Sequence, residues 1–248
     1  MNAYESLAAS YDALTYDVPY EKVLDFCKRL FLRFGCQPQT VLDLACGTGS
    51  LSVLFSREGC RVYGVDCAEQ MLTAASEKTA DMENPPFFIL QKMQSLRLAE
   101  KVDAAVCCLD SINYLTKPKD VQKTFRRVFQ SLNDGGVFIF DINSPHKLKG
   151  LDGQVFLDET EDVYCVWRCD FSEKKNICRY GIDIFERNGK TWDRTCEEHK
   201  EYAYTPQELT DYLRVAGFTK IELFGDRVLR QPKADEQRIY FAAKKEKP

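Results

Sequence analysis

The sequence predicts an α/β fold: a mostly parallel seven-stranded sheet flanked by helices, with a small inserted antiparallel β lid. Three observations predict it. From Thr40 to Ile142, short apolar runs bounded by Gly, Pro or Asp alternate with helical stretches. From Gln154 to Tyr204 the pattern changes to the alternation of paired strands. After Thr205 the first rhythm returns.

Taken in order, Val23, Leu24, Phe26, Cys27, Leu30, Phe31 and Phe34 recur at helical spacing, predicting a helix over Glu21 to Phe34 that covers one edge of a sheet. A tyrosine-rich arm with Tyr4, Tyr11, Tyr16 and Tyr20 precedes it. Strands follow at Thr40 to Leu44, Arg61 to Val65, Phe87 to Leu90 and Asp103 to Leu109. Their near-continuous apolar character is that of parallel strands covered on both faces. A helix near Val121 to Leu132 leads through the turn Asn133-Asp134-Gly135-Gly136 to a fifth strand, Val137 to Ile142. In the lid, runs such as Val163-Tyr164-Cys165-Val166-Trp167 and Tyr180 to Phe185 predict three or four antiparallel strands, with Asn188-Gly189 as a hairpin turn. Thr205-Pro206-Gln207-Glu208 reads as a helix N-cap with Pro at the first position, and Gly217 as the helix stop. Strands near Lys220 to Phe224 and Arg238 to Ala243 complete the sheet. The expected organisation is a core over residues 1–144, the lid over 145–204, and a C-terminal helix and two strands over 205–248 that rejoin the core.

Composition narrows the function. The 248 residues carry 38 acidic and 34 basic side chains, and the basic ones form no stripe, which disfavours a nucleic-acid partner. No apolar run approaches the ~20 residues that span a bilayer, so no membrane partner is expected. Eleven cysteines without a secretory leader read as reduced thiols of a cytoplasmic protein. Cys107 and Cys108 are adjacent, Cys165 and Cys169 are separated by three residues, and there are two histidines, so no zinc site is expected.

The chemistry concentrates in Val41-Leu42-Asp43-Leu44-Ala45-Cys46-Gly47-Thr48-Gly49, a strand entering a glycine turn that opens a helix near Ser50. Such a turn lets a ligand approach the backbone beside a helix N-terminus. Counting from Gly47, the sixth position of the motif is Ser52, and Asp43 stands just upstream. A carboxylate repels a pyrophosphate but suits an ammonium with a sulfonium nearby. The next strand ends at Asp66, about 20 residues beyond the first glycine, where a ribose diol needs an acceptor. Read alone, each has a structural account: a tight turn with a capping Asp, and a surface Asp.

Asp43-x-Ala45-x-Gly47-Thr48-Gly49, Asp66, the strand ending at Asp110 and Leu132-Asn133-Asp134-Gly135-Gly136 resemble the successive motifs of class I S-adenosylmethionine (SAM)-dependent methyltransferases. The resemblance covers nearly the whole chain outside the lid and implies a Rossmann-like sheet with SAM as cofactor. Within that superfamily, Tyr11-Asp12, Asp110-Ser111-Ile112-Asn113-Tyr114 and the β insertion before Tyr202-x-Tyr204 resemble bacterial small-molecule methyltransferases, relatives of sugar-amine and glycine N-methyltransferases. The resemblance implies that Asp43, Ala45, Gly47 and Gly49 line the methionine part, that Asp66 binds the ribose hydroxyls, and that Cys67 and Ala68 border the adenosine. Lys92 and Met93 would flank the adenine. Many relatives carry an Asp where this chain has Lys92, which shifts adenine recognition to Gln91 and the Met93 backbone. Tyr11 would close over the cofactor.

Asp110 and Asn113 lie beyond the carboxyl end of the fourth strand, where open α/β sheets hold ligands, and are candidates at the junction of cofactor and acceptor. The same pair could equally cap the following turn. His146 and His199 are candidates for a general base, since imidazole titrates near neutrality. Tyr164, Trp167, Phe171, Phe185 and Trp192 would form either an acceptor wall or the lid's own core. The function expected is methyl transfer to the N or O atom of a small-molecule acceptor by a monomer or homodimer. Two rival readings stay open: a non-catalytic protein with this fold that binds SAM or a partner, and an NAD-dependent oxidoreductase sharing the β-α-β-acid pattern.

Overall fold

A computed structural model describes Asp12 and residues 17–246. Helix α1 (Tyr20–Arg33) buries Val23, Phe26, Cys27 and Leu30 against the sheet, as the spacing requires. There follow β1 (Thr40–Leu44), α2 (Ser50–Arg57), β2 (Arg61–Asp66), α3 (Glu69–Lys78), β3 (Phe87–Leu90), β4 (Val102–Cys107), α4 (Pro118–Ser131) and β5 (Leu132–Asn143). A short helix α5 (Pro145–Gly150) leads into β6 (Val155–Glu159), β7 (Val163–Ser172), β8 (Ile177–Asn188) and β9 (Thr191–Tyr202). The chain then returns through α6 (Pro206–Ala216), β10 (Lys220–Phe224) and β11 (Arg238–Lys244).

The larger sheet has seven strands in the order β10-β11-β5-β4-β1-β2-β3. β11 runs antiparallel to both neighbours, while β1 to β5 pair in parallel. Two apolar cores cover its faces. One gathers Phe125, Phe138, Phe140, Leu213 and Phe241, and the other gathers Phe26, Leu30, Val41, Phe55 and Tyr240. Burial on both faces is why the central strands carry few polar side chains.

The second sheet is the antiparallel meander β6-β7-β8-β9. β8 and β9 are joined through the two residues Gly189 and Lys190, with Gly189 at φ 62°. The hairpin therefore turns one residue later than the Asn188-Gly189 expectation, with glycine at the first central position, where a positive φ is needed. Helix α6 carries the capping box the sequence announces: Glu208 N donates to Thr205 Oγ1 at 3.2 Å and Thr205 N donates to Glu208 Oε2 at 2.8 Å.

Three local features differ from expectation. β4 stops at Cys107, because Leu109 and Asp110 both adopt left-handed backbone (φ 59° and 54°). β5 starts at Leu132, pairs with Val102, then bulges through the Asn133–Gly136 turn before Val137 pairs with Ala104. Asp103 secures that bulge by accepting from Asn133 Nδ2 at 2.9 Å. Helix α5 was not expected; it is six residues long, too short for a periodicity signal, and is capped by the Ser144 hydroxyl.

Candidate cofactor and acceptor site

From β1 the chain continues outward to β2 and β3 on one side and to β4 and β5 on the other, so strand order reverses beside β1 and leaves a crevice at the carboxyl ends. At that end Ala45, Gly47 and Gly49 all take positive φ (60°, 53° and 75°), which coils the backbone into a turn and starts α2 at Ser50. A Cβ on Gly49 would lie 2.9 Å from Phe88 Cζ, so the turn also packs too closely for a side chain there.

Two carboxylates face this turn. Asp43 is buried and accepts from Ser52 Oγ at 2.5 Å, and burial pushes its carboxyl up to about 6. Asp66, at the end of β2, accepts from Gly47 N and Ala68 N, each at 2.9 Å. It thereby ties the glycine turn to the start of α3. Each carboxylate oxygen of Asp66 still has a lone pair for a ligand hydroxyl.

Around them opens a cavity of about 340 Å³, the size of a small cofactor site. Asp43, Ala45, Gly47, Asp66, Cys67, Gln91, Lys92 and Met93 all line it, so the structure gathers eight of the sequence-derived cofactor residues at one place. Gly49 lies just behind as the N-cap of α2. Gln91 contributes with its side chain engaged, because its amide pairs with both the N–H (2.8 Å) and the C=O (3.1 Å) of Arg97. Lys92 heads the short 3₁₀ turn Met93–Ser95, and its side chain is exposed. Tyr11 lies outside the described residues, but its neighbour Asp12 accepts from Thr48 Oγ1 at 2.6 Å and pairs with Lys78 Nζ at 2.6 Å. Asp12 is thus tied to the glycine turn.

The candidate acceptor residues separate into three groups. Asn113 is fully buried: its Nδ2 donates to Asn143 O (3.1 Å) and Tyr202 O (3.0 Å), and its Oδ1 accepts from Asn143 N (3.1 Å). It pins β5 and β9 to the turn Ser111–Tyr114, so its amide serves packing. Asp110 faces Arg238, with 2.7 Å between Arg238 Nη2 and Oδ1. His146 is exposed on α5 and lines no part of the cavity.

His199 is different. It projects from β9, is buried, places Nε2 2.7 Å from Glu197 Oε2, and places Nδ1 3.4 Å from the hydroxyl of Tyr114, which lines the cavity. Of the lid aromatics, Trp167 turns toward it, with ring centroids 6.4 Å apart. Phe171 is buried in the lid's core, Tyr164 packs on Phe185, and Trp192 is exposed under Arg187.

Sequence reasoning missed Glu197, Arg238 and Lys78. Glu197 sits two residues from His199 on an alternating strand, a period-2 signal that could have paired them. Arg238 and Lys78 reach the site across 128 and 30 residues, and no local pattern announces that.

This geometry unites a crevice at a strand-order reversal, a glycine turn at a helix start, and two carboxylates above an apolar wall, which suits a ligand with a cationic end and a diol. A methyltransferase-domain family pattern matches residues 41–136. A Bacillus subtilis protein assigned as a methyltransferase is 30% identical over 246 residues, 98% of each chain. The chain belongs to the SAM-dependent methyltransferases, an enzyme family whose cofactor is S-adenosylmethionine. Among solved structures, a SAM-dependent methyltransferase from Clostridium acetobutylicum superposes with a TM-score of 0.88 at 31% identity, covering 99% of this chain and 100% of that one. A SAM-bound amino pentose methyltransferase from Micromonospora echinaspora shares the fold at 18% identity, with a TM-score of 0.76 and 98% and 99% coverage.

Proposed function

We propose that the chain transfers the methyl group of SAM to a nitrogen or oxygen of a small-molecule acceptor held between the cavity and the lid. The observation that carries this reading is the row running from the cavity wall into the lid: Tyr114, His199 and Glu197. The fold likeness to an amino pentose methyltransferase supports a small acceptor, and the mildly acidic charge balance speaks against nucleic acid.

In this reading the residues present fit SAM. Asp43 lies where the positively charged methionine end would rest, Asp66 offers oxygen lone pairs to the ribose hydroxyls, and Ala45, Gly47 and Gly49 hold the turn that brings backbone up to the ligand. Cys67 borders the adenosine, and Gln91, Lys92 and Met93 flank the adenine, with Lys92 packing its stem rather than accepting a hydrogen bond. When bound, SAM supplies a methyl carbon made electrophilic by its sulfonium.

The chain's own work is positioning, exclusion of water and proton removal. With SAM held by Asp43, Asp66 and the glycine turn, the methyl carbon would be presented to the acceptor's lone pair, and the acceptor's proton would pass by way of Tyr114 to Nδ1 of His199. Glu197 holds Nε2 as a donor, fixing the tautomer in which Nδ1, facing Tyr114, is the acceptor. Trp167 Nε1, buried without a partner, is a donor available to a polar atom of the acceptor. Asp110, Asn113 and His146 hold no proton in this scheme; the first two shape the site and the last lies off it. The eleven free thiols support a reducing, cytoplasmic setting. Nothing in the scheme needs more than one copy, so a monomer or a homodimer serves equally.

The test is transfer of labelled methyl from SAM across a panel of amino sugars, amino acids and phenols, with His199→Gln alongside. The reading predicts transfer to at least one small acceptor and a loss of about 10²-fold in the variant at unchanged SAM affinity. Transfer to none of them, or full activity in His199→Gln, contradicts it.

A further inference from the structure

Beyond β4 the backbone does something costly: Leu109 and Asp110, neither of them glycine, are consecutive residues in the left-handed region (φ 59° and 54°). Residues with a Cβ disfavour this region, so something must hold the pair there. The holder is Asp141 on β5. Its side chain is fully buried, Oδ1 accepts from Leu109 N at 2.8 Å, and Oδ2 accepts from Asp110 N at 3.0 Å. A carboxylate that takes two adjacent amides defines the direction of both, which no single-acceptor side chain does.

Asp141 is itself secured from the C-terminal strand. Arg238, at the start of β11, bonds Asp141 Oδ2 through Nη1 and Asp110 Oδ1 through Nη2 (2.7 Å), bridging the anchor and the turn it anchors. Burial pushes the Asp141 carboxyl up, and the guanidinium opposes this. The turn is part of the cavity wall: Leu109 and Ser111 line it, and Tyr114 closes the same 3₁₀ turn.

Building on the cavity as the SAM site, we propose that Asp141 and Arg238 are positioning residues for the cofactor, holding the Leu109-Asp110 turn in the one conformation that completes the cavity wall. Neither residue lines the cavity. They act through backbone, and the C-terminal strand thereby takes part in cofactor binding although it lies outside the glycine-turn half of the sheet.

Two variants test it by calorimetric titration with SAM and S-adenosylhomocysteine, each paired with a melting curve of the full chain. Arg238→Lys keeps the positive charge beside Asp141 but cannot fork between two carboxylates. Asp141→Asn keeps the shape but offers one oxygen and a clashing NH₂ to two N–H donors. The proposal expects both ligands to bind at least fivefold more weakly to Arg238→Lys, and more weakly still to Asp141→Asn, at temperatures where both proteins remain folded. A purely structural role would lower the melting temperature and leave affinity within twofold of wild type, and that result overturns the proposal. If Asp141→Asn does not fold, Arg238→Lys decides alone. Wild-type protein that binds neither ligand removes the cofactor-site reading and this inference with it; normal wild-type binding with unaltered variants removes this inference only.

Discussion

Gly49 shows most directly what a single position does for the site. It caps α2 at φ 75°, and a Cβ there would come 2.9 Å from Phe88 Cζ and 3.2 Å from Ala75 Cβ. Gly49→Ala therefore carries both a backbone penalty and a packing penalty, and should destabilise the protein by about 2 kcal/mol or more in urea unfolding. A change below a few tenths of a kcal/mol would show that the turn relaxes freely. At this scale the sequence was informative wherever chemistry is local. Asp43, the two glycines and Asp66 are readable because a strand, a turn and a helix start follow one another within some 25 residues. It was uninformative where a partner comes from far along the chain: Asn113 and Asp110 carry functional-looking polar groups, yet Asn143, Tyr202 and Arg238 engage them for packing and positioning.

The lid is the element whose behaviour should depend most on pH. Its strand β9 alternates Glu197, His199 and Glu201 on the buried face. Glu201 accepts from Asn143 Nδ2 at 2.8 Å, and burial pushes its carboxyl up to about 8. A carboxyl whose folded pKa exceeds its unfolded value near 4.5 contributes stability fully below that lower value, and this is lost as pH rises through about 8. Glu201→Gln keeps the acceptor for Asn143 and removes the titration. Wild type should therefore lose melting temperature relative to Glu201→Gln between about pH 4.5 and pH 8, by several degrees for a chain of this size, with the two curves running parallel above that range. Parallel curves for the two proteins within that range would contradict the assignment. Alternation made the lid legible as three or four antiparallel strands, though not the first of them, β6, which is exposed throughout; the capping box and Gly217 made α6 legible. Helix α5 and the early end of β4 were not: one is six residues long, and the other ends because Asp141, 31 residues downstream of Asp110, captures its amides.

At the scale of the whole molecule, the strand order leaves one crevice at the carboxyl ends of the parallel strands, and most of this architecture follows from the periodicities alone. What periodicity does not supply is which side chains from β5, β9 and β11 engage the residues around the crevice, since that depends on strand order and register. The account's central claim is that the cavity beside Asp43 and Asp66 binds SAM. Among the described residues no helix is long and apolar enough to cross a membrane. The most direct measurement is calorimetric titration with SAM of wild type, Asp66→Asn and His146→Ala, the last a surface position away from the cavity. The account predicts saturable one-to-one binding by wild type and His146→Ala, weakened at least tenfold in Asp66→Asn, which costs about 1.4 kcal/mol or more. Wild-type affinity in Asp66→Asn, or no saturable binding by the wild-type protein, would contradict it.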